Sequence, residues 1–135
     1  MSRILLDTSA YSAFLRGDTR IRRCVQEADE VFVNPVILGE LKAGFFRGRH
    51  RKKNERELTS FLASPRVSVV GLDEGTSERY AVILDSLRSG GIPIPTNDVW
   101  IAANAMQHGL RVAATDQHFR KVSQILVEWF GPAEG

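Results

Sequence analysis

Four acidic residues, Asp7, Glu40, Asp98 and Asp116, stand in settings where a carboxylate needs either a partner or a chemical role. Asp7 closes the apolar run Ile4-Leu5-Leu6 and precedes Thr8-Ser9. Glu40 lies among Val36, Ile37, Leu38, Leu41 and Ala43, which places it on or beside a buried face. An unpaired charge is rarely tolerated there, because removing it from water is costly. Asp98 opens the segment Asp98-Val99-Trp100-Ile101-Ala102-Ala103, and Asp116 follows the apolar stretch that ends at Thr115. Each has a plain structural alternative. Asp7 and Asp116 could cap the helices that follow them. Asp98 could complement a helix dipole, and Glu40 could pair with Lys42 or a distant arginine. Taken together, the acids call for one explanation. Clustered carboxylates repel until one of them holds a proton, and a hard divalent cation removes that conflict. An all-oxygen donor set favours Mg2+ or Mn2+, and the chain carries no Cys/His pattern of the zinc type. Such a centre leaves coordination positions for water and phosphate oxygens, so its chemistry is phosphodiester hydrolysis by activated water. One ion or two would serve.

The elements that position these acids alternate in kind. Ile4–Leu6 reads as a short buried strand, followed by a helix through Tyr11, Phe14 and Leu15 that stops at Gly17. A second helix covers Thr19–Ala28, with Ile21 and Val25 on one face. Val31-Phe32-Val33 is a strand, and Pro35 starts a helix bearing Ile37, Glu40, Leu41 and Phe45. The basic stretch then interrupts, and a helical pattern resumes at Leu58, Phe61 and Leu62. Val67–Val70 is a strand, Thr76–Leu87 a helix, and the Gly-Pro-rich residues 90–95 a connector. Thr96 or Asn97 caps the next helix, which runs to Gln107 with Gly109 as its left-handed end. Arg111–Thr115 is a strand, Phe119–Gln124 a short helix, and Ile125–Trp129 a last strand. This alternation predicts an α/β domain with a mainly parallel sheet covered on both faces. Ligands of such folds bind beyond the carboxyl ends of the strands, where Asp7 and Asp116 fall.

With 135 residues, 43% hydrophobic and 25% charged, the chain is expected to form a single domain over residues 1–135. The lone cysteine, Cys24, fits a reducing compartment and a half-buried position. The apolar run after Met1-Ser2-Arg3 is too short for a signal peptide or a membrane span, so a cytoplasmic protein without membrane contact is expected. The net charge of +2 conceals an uneven distribution: residues 47–56 alone carry +5, leaving −3 on the rest. Such a run is either a solvated loop or a guide for a polyanion. Arg47, Arg49, Arg51, Lys52 and Lys53 are its candidate contacts, to an RNA backbone or equally to acidic residues of a protein partner.

Four segments in order give the chain a resemblance to the PIN-domain family, and within it to the VapC-type toxins of bacterial toxin–antitoxin pairs. They are Ile4-Leu5-Leu6-Asp7-Thr8-Ser9, the Glu40 helix after Val31–Pro35, residues 91–103 from Gly91 to Ala103, and Thr115-Asp116-Gln117-His118-Phe119. The third is the most specific. The resemblance implies a PIN-like three-layer α/β/α fold and an Mg2+- or Mn2+-dependent endoribonuclease. It implies that Asp7, Asp98 and Asp116 surround the metal, with Glu40 acting through water. It also implies a homodimer restrained by a VapB-type antitoxin and an RNA substrate such as transfer RNA or a ribosomal RNA loop. Many relatives carry threonine two residues before the last acid, where this chain has Ala114. Thr115 or Ser9 is then the candidate substitute, and Thr8, Ser9, Asn97 and Thr115 form the expected supporting hydrogen-bond set.

Other residues take plainer roles. Tyr11, Trp100 and Ile101 read as packing residues, and His118 as a structural or surface histidine despite its place beside Asp116. Two rival enzyme classes fit poorly. A phosphate-accepting receiver domain needs a lysine after a late strand, and a haloacid-dehalogenase-type phosphatase needs an acid where Ser9 stands. A PIN scaffold that binds RNA or protein without cutting is the non-enzymatic alternative.

Overall fold

Three consecutive residues of the first strand, Ile4, Leu5 and Leu6, are all essentially inaccessible to solvent. Successive strand residues point to opposite faces, so a run buried throughout means a sheet covered on both sides. The computed structural model, which describes residues 2–132, shows that arrangement. Its elements are β1 (Arg3–Leu6), α1 (Thr8–Leu15), α2 (Thr19–Glu27), β2 (Glu30–Val33), α3 (Pro35–Arg47) and α4 (Arg51–Leu62). There follow β3 (Val67–Val69), α5 (Glu74–Ser89), α6 (Thr96–His108), β4 (Arg111–Ala114), a 3-10 turn (His118–Lys121) and β5 (Val127–Trp129). The five strands are all parallel, in the order β3-β2-β1-β4-β5. A receiver domain's order of 2-1-3-4-5 is thereby excluded.

The core is continuous across the sheet and its helices. Tyr11 of α1 is fully buried, its ring edge-on to Phe61 of α4 at 5.2 Å, so these two helices pack together. Tyr80 of α5 stacks on Trp100 of α6 at 4.1 Å, while Ile101 is wholly buried and Trp100 half-buried. Tyr11 and Trp100 are therefore packing residues, as expected, and Tyr11 is closed to any base. No helix among the described residues is long and apolar enough to cross a membrane.

Several element ends differ from expectation for identifiable reasons. The basic stretch interrupts helix only at Gly48–His50, and α4 already begins at Arg51. Glu55 and Glu57 fall one turn after Arg51 and Lys53, and these i,i+4 pairs support its exposed first turns. Helix α6 is preceded by Pro95 with no side-chain cap, so neither Thr96 nor Asn97 caps it. Proline's fixed φ, here −58°, suits the entry, and the Asn97 amide is left for another partner. Gly109 takes the left-handed conformation at φ 64°, as its position after the helix requires. Helix α5 starts earlier than Thr76, because Asp73 and Thr76 form a capping box around Glu74. The turn after Asp116 is a 3-10 turn of four residues, and β3 and β5 are three residues each.

A buried amide pair ties the helices together. Asn34 caps α3 by accepting from the Ile37 N–H at 2.9 Å. Its own amide donates to Asn104 of α6 at 3.0 Å, and Asn104 donates to the Gly71 carbonyl at 3.1 Å. Both asparagines are fully buried. The bridge thus fixes the helix carrying Glu40 against the helix carrying Asp98. Truncating Asn104 to alanine strands the Asn34 amide and the Gly71 carbonyl, at a cost of about 1–3 kcal/mol. Urea unfolding of Asn104→Ala is expected to show that loss at an unchanged m-value; a midpoint equal to that of the wild type would show the bridge to be idle.

Candidate metal centre and active site

The chain steps outward from β1 to β2 and β3, then returns to the other side of β1 to lay down β4 and β5. The direction of winding therefore reverses between β1 and β4. Outside the carboxyl ends of strands at such a switch point the flanking loops diverge and leave a crevice. Asp7 follows β1 directly and Asp116 lies two residues beyond β4, so both enter it. The Asp7 N–H donates to the Ala113 carbonyl at 3.0 Å, extending the β1–β4 pairing up to the site itself.

Asp7 is a cap and more than a cap. Its Oδ2 accepts from the Ser9 N–H at 3.1 Å and from the Ser9 hydroxyl at 2.6 Å, at the start of α1. Ser9 Oγ in turn accepts from the Thr115 N–H at 3.1 Å, so one serine clasps the ends of β1 and β4. Thr115 thus contributes through its backbone, and its carbonyl accepts from the Trp129 indole at 3.2 Å. The hydrogen bond to the first acid comes from Ser9. Burial pushes the Asp7 carboxyl up to about 6, outweighing the Ser9 hydrogen bonds, and the charge of Asp98 adds to the rise.

Asp98 is the hub. It lies in the first turn of α6, buried, where the helix N-terminus favours a negative charge. Its carboxyl is nevertheless raised, first by burial, against the lowering hydrogen bond from His118, and then by the charges of Asp116 and Glu40. The charge of Asp98 in turn adds to the rise at Asp7. Asp98 Oδ2 lies 2.8 Å from His118 Nδ1, and Asp116 Oδ1 lies 2.9 Å from the same nitrogen. The Asp116 carboxylate also accepts from the His118 backbone N–H at 2.8 Å. Asp98, Asp116 and His118 each bring a donor atom within 4.8 Å of the others.

Glu40 reaches the crevice from α3, half-buried at the border of that helix's apolar face. It is held by the Thr8 hydroxyl at 2.8 Å and by the Asn97 amide at 3.5 Å. Among the described residues Glu40 makes no salt bridge, and Lys42 pairs with Glu55 at 4.0 Å. Thr8, Ser9 and Asn97 therefore support the acids through their side chains. Of the basic residues, Arg47 lines the same groove as Glu40, Thr8 and Asn97. Arg51 pairs with Glu55 and lies over the Phe46 ring at 3.6 Å, and Lys53 pairs with Glu57, so these two are committed elsewhere. Arg49 and Lys52 are exposed. His118 departs from the role its sequence context suggests: it stands between two of the acids. The available signal is its place two residues after Asp116, where a turn brings a side chain back over the preceding carboxylate.

The residues fit a divalent cation. Buried carboxyls raised above their ordinary range, grouped around one hub, are short of positive charge, and oxygen donors predominate. Asp98 and Asp116, whose donor atoms lie within 4.8 Å of one another, would hold the ion; Asp7, expected beside them, falls outside that group, as does Glu40 on Thr8 and Asn97.

Asp7 gives this a measurable consequence. Its folded-state value, about 6, lies above the ordinary 3.8, so between those values the folded chain holds more protons than the unfolded one. Stability then falls as pH rises through that window and stays reduced above it. In EDTA, Asp7→Asn keeps the cap acceptor and removes the charge. The variant is expected to exceed the wild type by about 3 kcal/mol at neutral pH, the gap closing near pH 4. A gap that is absent at neutral pH, or widens on acidification, contradicts the electrostatic account.

Comparison with known proteins agrees with this geometry. Residues 4–125 match the PIN domain family. Ribonuclease VapC4 of Mycobacterium tuberculosis is 32% identical over 95 residues, covering 70% of this chain and 73% of that protein. Toxin FitB of Neisseria gonorrhoeae is 32% identical over 122 residues, covering 84% and 87%. Among solved structures, VapBC2 from Rickettsia felis bound to a promoter DNA fragment superposes with a TM-score of 0.84 at 17% identity, covering 95% of this chain and 98% of that one. With nine-tenths of its length matched and relatives of this identity, the chain belongs to the PIN-domain family.

Proposed function

We propose that this chain, a PIN-domain ribonuclease of the VapC toxin type, cuts RNA phosphodiester bonds at the Asp7–Glu40–Asp98–Asp116 crevice with Mg2+ or Mn2+. The observation that carries the reading is the gathering of Asp98 and Asp116 donor atoms, with His118 between them, at the switch point of the sheet where Asp7 also ends its strand. A bound divalent ion would lower the pKa of a water and offset charge on the scissile phosphate. The protein's own residues supply the rest. Ser9 fixes the rotamer of Asp7, and Thr8 and Asn97 fix that of Glu40. Helix α6 presents Asp98 from a rigid first turn, and Arg47 at the groove's rim can meet a phosphate of the incoming strand.

The partners follow from the same reading. The substrate is RNA, of which transfer RNA and ribosomal RNA loops are the candidate targets. The chain works in the cytoplasm as a homodimer, restrained by a VapB-type antitoxin. The relatives lend support: VapC4 is named a ribonuclease, and the Rickettsia felis structure is of a VapBC complex. A silent scaffold would not need all four acids.

Purified chain free of antitoxin is expected to cleave structured RNA in Mg2+ or Mn2+ and to stop in EDTA. Asp98→Asn should abolish cutting while circular dichroism stays that of the wild type. Product ends should be 5′-phosphate and 3′-hydroxyl, because attack by water leaves the 2′-hydroxyl unused. Cleavage that survives EDTA or Asp98→Asn, or that leaves a 2′,3′-cyclic phosphate, would overturn the mechanism.

A further inference from the structure

We infer that His118 is itself a donor of the centre, its Nδ1 joining Asp98 and Asp116 around the divalent ion and inclining the site toward Mn2+ over Mg2+. The inference rests on the reading of the crevice as a divalent-cation centre. Geometry is the starting point. The nitrogen lies 2.8 Å from Asp98 Oδ2 and 2.9 Å from Asp116 Oδ1, and all three donors fall within 4.8 Å of one another. Neighbouring donors around a six-coordinate ion with bonds of about 2.1 Å are separated by about 3 Å. The two contacts already have that spacing.

Hydrogen bonding alone satisfies this arrangement poorly. Nδ1 can carry one proton, so a single N–H serving both carboxylate oxygens is at best a three-centre bond, bent and weakened toward each. An ion among the three donors would engage each along its own lone pair, with the ring proton on Nε2. The ring is also well placed to stay. The His118 N–H is bonded to Asp116, and Phe119, the next residue in the turn, is fully buried and anchors it. The imidazole itself is 36% exposed, on the rim of the crevice where an ion can enter.

A nitrogen donor changes selectivity. Mg2+ prefers an all-oxygen shell, whereas imidazole raises the relative affinity of transition-metal ions. The acids supply charge for either ion; His118 tells them apart.

Pulsed electron paramagnetic resonance of the full chain loaded with Mn2+ tests this directly, since a bound imidazole imprints 14N modulation on the manganese signal. Modulation is expected in the wild type and absent in both His118→Ala and His118→Gln. The ratio of Mn2+ to Mg2+ affinity, from calorimetry, should fall several-fold in both variants. Neither His50 nor His108 is among the gathered donors: His50 stands at the start of α4, and His108 ends α6 roughly 15 Å along the helix from Asp98. Tight Mn2+ binding without 14N modulation in the wild type, or modulation and an affinity ratio unchanged in the variants, overturns the role of His118 and leaves the cation centre standing. A wild type that binds no Mn2+ overturns the centre itself.

Discussion

Pairing β1 directly with β4 brings two strand ends that each lead into an aspartate to the same crevice, and most local features of the site answer the repulsion that results. Like charges in a poorly solvated space interact far more strongly than in water. The protein answers with dipoles and hydrogen bonds. The N-termini of α1 and α6 carry Asp7 and Asp98, placing positive helix ends beside negative groups. Ser9 gives Asp7 two donors, and Thr8 and Asn97 hold Glu40. These contacts do not cancel the cost, since the Asp7 and Asp98 carboxyls remain raised. The residual deficit of positive charge is the site's affinity for a cation.

Holding such a site requires a rigid frame. Strands buried on both faces supply it, and the Asn34–Asn104 bridge sets the register between the two helices that bring acids from outside the central strand pair. Asn34 begins α3 and Glu40 lies six residues along it, so the cap that starts the helix also fixes the direction of the Glu40 side chain. A polar pair in the core is less forgiving than an apolar contact, because a slipped helix would leave both amides unpaired. Precision at the acids is thus rooted in a contact well away from them.

How much of this the sequence can reveal depends on the range of the interaction concerned. Asp7 and Asp98 are legible because the flanking apolar runs mark a strand end and a helix start, and such local patterns survive folding. Gly109 is legible for the same reason: a glycine just past the last apolar position of a helix is a common left-handed stop. Glu40 stands out through its apolar neighbours, yet those neighbours report the adjacent buried face. Its actual partners, Thr8 and Asn97, come from distant segments that no spacing rule connects. The role of His118 is hidden because its place depends on the turn geometry after Asp116 together with the approach of α6, a tertiary fact. The start of α4 is hidden because a dense basic run looks like loop until its i,i+4 glutamates are counted.

The distribution of basic charge bears on the order of events at the crevice. The +5 of residues 47–56 suggests a broad cationic surface, but Arg51 and Lys53 are paired with glutamates within α4, and Arg51 also lies over Phe46. Arg47 is placed differently. It lies seven residues after Glu40, two helical turns along the same face of α3, and lines the same groove. One arginine in the groove beside Glu40 offsets little of the negative charge that the acids present to a polyanion. A divalent ion held by acids of the crevice would remove much of that barrier, and on the proposed function Arg47 would then be the cation placed to meet a phosphate of the substrate. On the proposed function, cation loading and RNA binding would in this way be linked: each would make the crevice more favourable to the other, and the link would follow from charge alone.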